Sequence, residues 1–496
     1  MNSNLSTEEI VLINTLLYAE DLGGPKGTFL SAVNEDKTIG DYINGVYKNF
    51  SDIDDKREYS NGITGAEYKQ ILGAVKKNSH IKNMIIIQVH FESANAGGGR
   101  SVLLFDPMGN EAIVAFKGTQ SDAEWIDNVS GLYMIPTEFQ QNALNWYQSL
   151  NLSGYDIITV TGHSKGGNKA KFITIMDDSV NNCFSYDGQG FSDEFINQYS
   201  YNIRWNKDKI MNIIAESDFV NILLNDVGQK KFYLGTNYGR LGFAENHCPN
   251  AILFFDGDDN PFIWQAKKQD QRMVDLDIML NSFVRSIPMK KRVDVANMLG
   301  NVIVCASHKD TEGLISTFTD PKYADSAADL LAYILKYKEK KPQMVTSLKE
   351  ILSQNGFDTG MIGIADFITN HEIIMEIIGG NPGSILQLLK RFNAPQSVID
   401  LLRNHRQLFS FIKIVTRKMR PIDPTRYSGK DLTEDAPERS SDSSLNMNLR
   451  SIASGNVLSG IRSFAGDHPG AMTAVGIGAL SIALLFSASI KGKKRC

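Results

Sequence analysis

Cysteine is scarce in this chain: Cys183, Cys248, Cys305 and Cys496 lie far apart, and none forms a C-x-x-C pair. That spacing supports neither a disulfide framework nor a thiolate zinc site, and it suits folding in a reducing compartment. Positive charge is not in excess, because 51 Lys and Arg against 56 Asp and Glu leave a formal net charge of -5. There is accordingly no electrostatic case for a nucleic-acid partner. No P-loop, dinucleotide fingerprint or RNA- or DNA-binding signature is present. The first residues, with Asn2, Ser3, Asn4 and Glu8-Glu9, offer no basic region ahead of an apolar one, so no signal peptide is read there. The acidic run Asp256-Gly257-Asp258-Asp259-Asn260 lacks the glycine and glutamate of an EF-hand, with Pro261 and Lys267 in their places, and reads as a turn. No metal and no organic cofactor is expected.

What is present starts with Gly162-His163-Ser164-Lys165-Gly166. The apolar run Ile157-Ile158-Thr159-Val160 leads into it, and Gly167-Asn168-Lys169-Ala170-Lys171-Phe172-Ile173 can continue as helix. This is G-x-S-x-G between a strand and a helix, a setting that pushes the serine hydroxyl out of the sheet toward a carbonyl. The flanking Gly162 and Gly166 let strand and helix approach closely. Ser164 is the candidate nucleophile, and such a serine needs a base and an orienting acid, which follow the elbow in the order acid, then histidine. The run Ile210-Met211-Asn212-Ile213-Ile214-Ala215 reads as a buried strand ending in Glu216-Ser217-Asp218, which makes Asp218 the candidate acid. Glu216 competes with it, as does Asp187 after the candidate strand Cys183-Phe184-Ser185-Tyr186. Of eight histidines, His247 alone follows Asp218 within the same candidate domain and is the candidate base. His163, inside the elbow, reads as a packing residue.

The oxyanion hole calls for the N–H after the nucleophile, on Lys165, and one from a loop after an earlier strand. Ala112-Ile113-Val114-Ala115-Phe116 is such a strand, with Lys117-Gly118-Thr119-Gln120-Ser121 as its polar exit. Phe116-Lys117-Gly118-Thr119, Trp125-Ile126-Asp127-Asn128 and the elbow together resemble the class three, or fungal-type, lipases. The chain is closer still to a bacterial family of lipase-like proteins of unassigned function that shares this core. The resemblance covers about residues 80 to 255. It implies an α/β-hydrolase fold, Thr119 in the oxyanion hole, a lid beginning near the tryptophan segment, and Asp218 and His247 as acid and base. Lys165, Asn168 and Lys117 depart from the usual lipase pattern, and the lid segment, Asp122 to Ile135, is short and polar. A small or polar ester therefore fits as well as a lipid.

The chain divides by pattern. Residues 1–80 open with Ser6-Thr7-Glu8-Glu9, a capping box ahead of Ile10, Leu12, Ile13, Leu16 and Leu17, and are expected to pack on the core. Residues 81–258 alternate strand and helix, beginning with a hairpin from Met84 to Phe91 and Ser101 to Phe105, and are expected to form a mostly parallel sheet. Residues 265–420 recur at helical spacing and predict an all-α module whose apolar faces form a core, or of which one helix caps the site. Residues 421–447 read as a flexible linker. Residues 471–490 run without a charge for a length that spans a bilayer, followed by the basic tail 491–496.

The fold class expected is thus α/β, an α/β-hydrolase core followed by the helical module and a C-terminal transmembrane helix. The expected function is a serine hydrolase cleaving a carboxylic ester of a lipid or small molecule by a Ser-Asp-His triad. The alternatives are a thioesterase or peptidase on the same triad, or a non-catalytic membrane-anchored interaction protein whose helical module has an unknown protein partner. Absence of a signal peptide favours the catalytic part in the cytoplasm, whereas the basic tail taken alone favours the opposite side.

Overall fold

The computed structural model describes residues 2–418 apart from 24–26, 33–36, 48–49, 61, 93–98, 120, 237–244, 308–309, 341–376, 378 and 392–395. The linker, the candidate span at 471–490 and the basic tail lie outside the described residues. Among the described residues, no helix is long and apolar enough to cross a membrane.

The chain opens with α1 (Thr7–Leu16), α2 (Phe29–Ala32), β1 (Lys37–Thr38), α3 (Ile39–Tyr47) and α4 (Gly65–Lys77). The hairpin of β2 (Ile85–Phe91) and β3 (Arg100–Asp106) follows, then β4 (Glu111–Phe116), α5 (Asp122–Ser130) and α6 (Glu138–Ser149). Next come β5 (Ile157–His163), α7 (Lys165–Met176), β6 (Asn182–Tyr186), α8 (Asp193–Gln198), α9 (Ser200–Asn206), β7 (Ile210–Ala215) and β8 (Gln229–Tyr233). Three two-residue strands, β9 (Phe254–Phe255), β10 (Pro261–Phe262) and β11 (Gln265–Ala266), lead to the helices α10 (Gln271–Ser286), α11 (Met289–Ser307), α12 (Thr311–Thr319) and α13 (Ala324–Lys340). Beyond these lie α14 (Pro382–Arg391), α15 (Gln396–Asn404) and α16 (Leu408–Lys418).

Local chemistry fixes several of these boundaries. At α1 the Ser6 hydroxyl accepts from Glu9 N–H while the Glu9 carboxylate accepts from Ser6 N–H. The same reciprocal pair recurs with Thr64 and Glu67 at α4, and with Thr137 and Gln140 at α6. Each such cap satisfies two amides that the helix cannot, a contribution of ~1 kcal/mol.

The main sheet has the order β1-β2-β3-β4-β5-β6-β7-β8-β11. Only β4 through β8 pair in parallel. The pairings of β1 with β2, β2 with β3, β3 with β4 and β8 with β11 are antiparallel. The expectation of a mostly parallel sheet is therefore corrected: the parallel block is central and its flanks are antiparallel. The cause is connection length, because parallel neighbours need a long crossover, helical or not, whereas the short turn between Asp106 and Glu111 can only return the chain antiparallel. The strand β11 also carries the sheet to Ala266, so the helical stretch starts at α10.

Alternation along the strands sends side chains to two faces. Ile113 and Ala115 of β4 join Leu12, Leu16, Tyr68 and Leu72 of the N-terminal helices on one face. Val114 and Phe116 join Trp146, Phe172 and Ile173 of α6 and α7 on the other. A third apolar cluster unites Leu276, Leu280, Leu299, Ala328, Leu389 and Phe411 of the helical stretch with Trp125 and Val129 of α5, and with Phe219, Val220 and Leu223 beyond β7. The helices after β11 thus share their core with the edge of the sheet that carries the candidate residues.

Candidate active site

The parallel block delivers its loops at one rim, because strands running the same way end at the same edge. Ser164 sits there between β5 and α7 with φ 59° and ψ -123°, a left-handed conformation that costs a non-glycine residue ~1–3 kcal/mol. It persists because the neighbours over-determine it. Ser164 N–H donates to the Tyr186 carbonyl at 2.9 Å, and the Ser164 carbonyl accepts from Asn168 N–H at 3.1 Å. A Cβ at Gly162 would lie 2.2 Å from the Gly166 carbonyl carbon, and one at Gly166 would lie 2.0 Å from the Phe116 carbonyl oxygen. The glycines of the elbow are there for close approach.

His247 lies in a short 3-10 turn, Glu245–His247. Its Nε2 is 2.8 Å from Ser164 Oγ, and its Nδ1 is 2.5 Å from Asp218 Oδ2. Phe219 and His163 flank the imidazole, with ring centroids at 5.4 Å and 4.8 Å. The other carboxylate oxygen of Asp218 accepts from the N–H groups of Val220 and Asn221 at 2.8 Å each, and from the Asn221 side chain at 3.0 Å. All three side chains are buried, Asp218 completely. The structure therefore brings Ser164, His247 and Asp218 into one hydrogen-bonded chain.

The two competing acids are placed differently. Asp187 follows β6 with φ 46° and accepts from Ala215 N–H at 2.9 Å. Burial, and next the Asp218 carboxylate, push its pKa well above the usual range. Glu216 is raised to about 7 by burial and then by Asp270. The histidine hydrogen bond goes to Asp218. One ligand atom each of His163, Asp187 and His247 lies within 4.8 Å of the others, among the described residues the one such grouping of possible metal ligands. Both nitrogens of His247 are engaged by Ser164 and Asp218, and His163 Nδ1 by Tyr18, while the buried His163 Nε2 and Asp187 Oδ2 have no hydrogen-bond partner among the described residues.

Thr119 is buried at the exit of β4, and its Oγ1 accepts from Asn128 Nδ2 of α5 at 3.0 Å. Lys165 opens α7, so its N–H belongs to the helix end that lacks carbonyl partners. Its side chain turns away to Asp127 of α5, Nζ to Oδ2 2.5 Å. Lys169 is likewise buried, 3.4 Å from Glu92 and 3.3 Å from Glu124. Burial opposes its charge, but Glu124, Glu92 and Asp127 outweigh that, and its pKa is raised. Of the departures from the lipase pattern, Lys165 thus forms an internal ion pair that ties α7 to α5, a tie that Lys169 reinforces through Glu124, while Asn168 donates to the carbonyls of Gln189 and Gly190 at 3.0 and 3.2 Å.

Sequence reasoning passed over the N-terminal contribution. Tyr18 Oη is 2.9 Å from both Gly118 N and His163 Nδ1. Thr15 Oγ1 donates to the Pro249 carbonyl at 2.8 Å, beside His247. Lys117, where the resembling lipases have arginine, pairs with Glu20 at 2.5 Å. No motif marks these residues, because in sequence they are an ordinary helix end.

Residues 101–299 match the Mbeg1-like family. Similar solved structures include Lip2 lipase from Yarrowia lipolytica, at 13% identity and a TM-score of 0.24, covering 38% of this chain and 72% of that one. A triacylglycerol lipase from Penicillium expansum is similar at 10% identity and a TM-score of 0.22, covering 31% and 71% respectively. No curated protein sequence matches the chain.

Proposed function

With residues 101–299 forming an Mbeg1-like, lipase-like domain, we propose that the chain is a serine-dependent acyl hydrolase acting on a carboxylic ester. The observation that carries this reading is the continuous contact from Ser164 Oγ through His247 to Asp218. Ser164 attacks the acyl carbon while His247 Nε2 takes its proton, and Asp218 holds the imidazole so that Nε2 faces the hydroxyl. The N–H groups of Thr119 and Lys165 receive the developing oxyanion, at typically ~3 kcal/mol per donor. His247 then protonates the departing alcohol. Water, deprotonated by the same histidine, releases the acid and restores Ser164.

Lipid ester is the substrate class we favour, supported by the lipase-like family and by the charge-free run 471–490, which would hold the site beside phospholipid with the catalytic part in the cytoplasm. Fluorophosphonate labelling of the full-length chain tests the chemistry. Labelling that vanishes in Ser164→Ala supports it, and absence of labelling, or labelling that survives the substitution, rejects it. Comparing short p-nitrophenyl esters with phospholipid vesicles then tests the substrate class. Alkaline extraction of membranes bearing the full chain, against a chain ending at residue 447, tests the anchor.

A further inference from the structure

Tyr18 is fully buried in the N-terminal segment, yet its hydroxyl reaches between the two loops that the proposed chemistry needs. On one side it accepts from Gly118 N–H at 2.9 Å, in the exit of β4. On the other it meets Nδ1 of His163, the residue before the nucleophile, also at 2.9 Å. The phenol and His163 Nδ1 share one hydrogen bond, and with either tautomer of His163 it ties the Tyr18 hydroxyl to the nucleophile strand. Burial, and then the neighbouring His247, push the pKa of the His163 ring well below the usual value.

Three contacts show how closely this joint is fitted. A Cβ at Gly118 would lie 2.2 Å from Tyr18 Oη, 2.7 Å from the His163 carbonyl oxygen and 3.0 Å from Ser164 Cβ, so only glycine leaves room for the hydroxyl. Tyr68 Oη donates to the Tyr18 carbonyl at 2.8 Å and fixes the backbone from behind. Lys117, next to Gly118, has its ammonium 5.1 Å from the centre of the Tyr18 ring. The phenol thus takes Gly118 N–H, the amide next to that of Thr119 in the same loop.

We infer that Tyr18 is a positioning residue for the oxyanion-binding loop, its hydroxyl fixing Gly118 against the nucleophile strand so that Thr119 N–H is aimed at the reacting carbonyl. This rests on the serine-hydrolase reading above. It assigns part of the machinery to a segment outside the residues that match the family.

The test uses the full-length chain and a short p-nitrophenyl ester. Tyr18→Phe keeps the ring and removes one oxygen; kcat falls about 10- to 100-fold, the scale of a small misplacement of a catalytic group, while KM stays within about twofold. Affinity for a trifluoromethyl ketone, whose hemiketal presents an oxyanion, falls by the same factor. Tyr42→Phe is the matched control: it removes a phenol from the same core, where Tyr42 Oη donates to the Gly27 carbonyl, and leaves kcat unchanged. Equal kcat values for Tyr18→Phe and the wild type, or equal losses in the two variants, overturn the inference while leaving the hydrolase reading intact. A wild type that neither labels nor hydrolyses removes both. Should Tyr18→Phe not fold, hydrogen exchange of Gly118 in the wild type decides: protection with and without the ketone supports the inference, and protection that appears only on binding overturns it.

Discussion

The N-terminal segment meets the site through hydrogen bonds with fixed partners, whereas the helices after β11 meet it mainly through apolar packing. Thr15 reaches Pro249, Tyr18 reaches both Gly118 and His163, and Glu20 reaches Lys117, each through a named polar atom. From the other side, Leu276, Leu280 and Leu299 lie against Phe219, Val220 and Leu223, with Asn281 adding two bonds to the backbone of Ile222 and Leu224. Hydrogen bonds are directional and fix where a loop points. Apolar packing is not, and a volume-conserving change leaves the geometry of the loop nearly intact. The first region should therefore control rate, and the second stability.

The sharpest way to break this contrast is at Asp218, where the apolar side hands one directional contact to the site. Asp218→Asn should lower kcat about 10⁴-fold with little loss of stability, while Asp187→Asn leaves kcat nearly unchanged, as steady-state kinetics on both variants would show. A comparable loss in the Asp187 variant would mean that this carboxyl also participates. Next comes the shared wall, α7. Lys169→Met leaves Glu92 and Glu124 buried without their cation and should cost about 3–5 kcal/mol in denaturant unfolding. A near-neutral result would mean that one of these carboxyls takes up a proton.

Leu280→Ala opens the apolar side and should cost about 2–5 kcal/mol of stability with kcat held within about twofold. A large fall in kcat at retained stability would erase the distinction between the two regions. Smallest is the response of Glu216. Its folded pKa of about 7 lies above the ordinary 4.5, so the folded state holds that proton more tightly than the unfolded chain does. This contribution to stability is full below pH 4.5 and is lost as pH rises through about 7; partial solvent access keeps it modest. Thermal unfolding of Glu216→Gln across that window should show a flatter profile than the wild type.

How much of this was readable from residues alone follows the same division. A glycine-flanked serine between a strand and a helix has few other physical uses, and the order of acid and histidine narrowed Asp218 and His247 to side chains that the structure does bring together. The strand β8, Gln229–Tyr233, was not legible, because its exposed Gln229, Lys230 and Lys231 give neither an apolar run nor alternation. The ion pairs of Lys165 and Lys169 were not legible, since composition says nothing about a carboxylate on another element. Nor was the contact of Tyr18 legible, since only the folded chain puts Gly118 beside it. Contacts between distant segments were the part the pattern could not carry.

The seam between Tyr18 and Gly118 has a practical meaning for anyone excising the family segment as a stand-alone module. A piece limited to residues 101–299 would shed β1 and β2 along with α1, exposing a bare edge of β3 and leaving Gly118 and His163 to water. Such a fragment would be a poor guide to the catalytic power of the intact chain, because the boundary drawn by kinship runs inside the unit that folds.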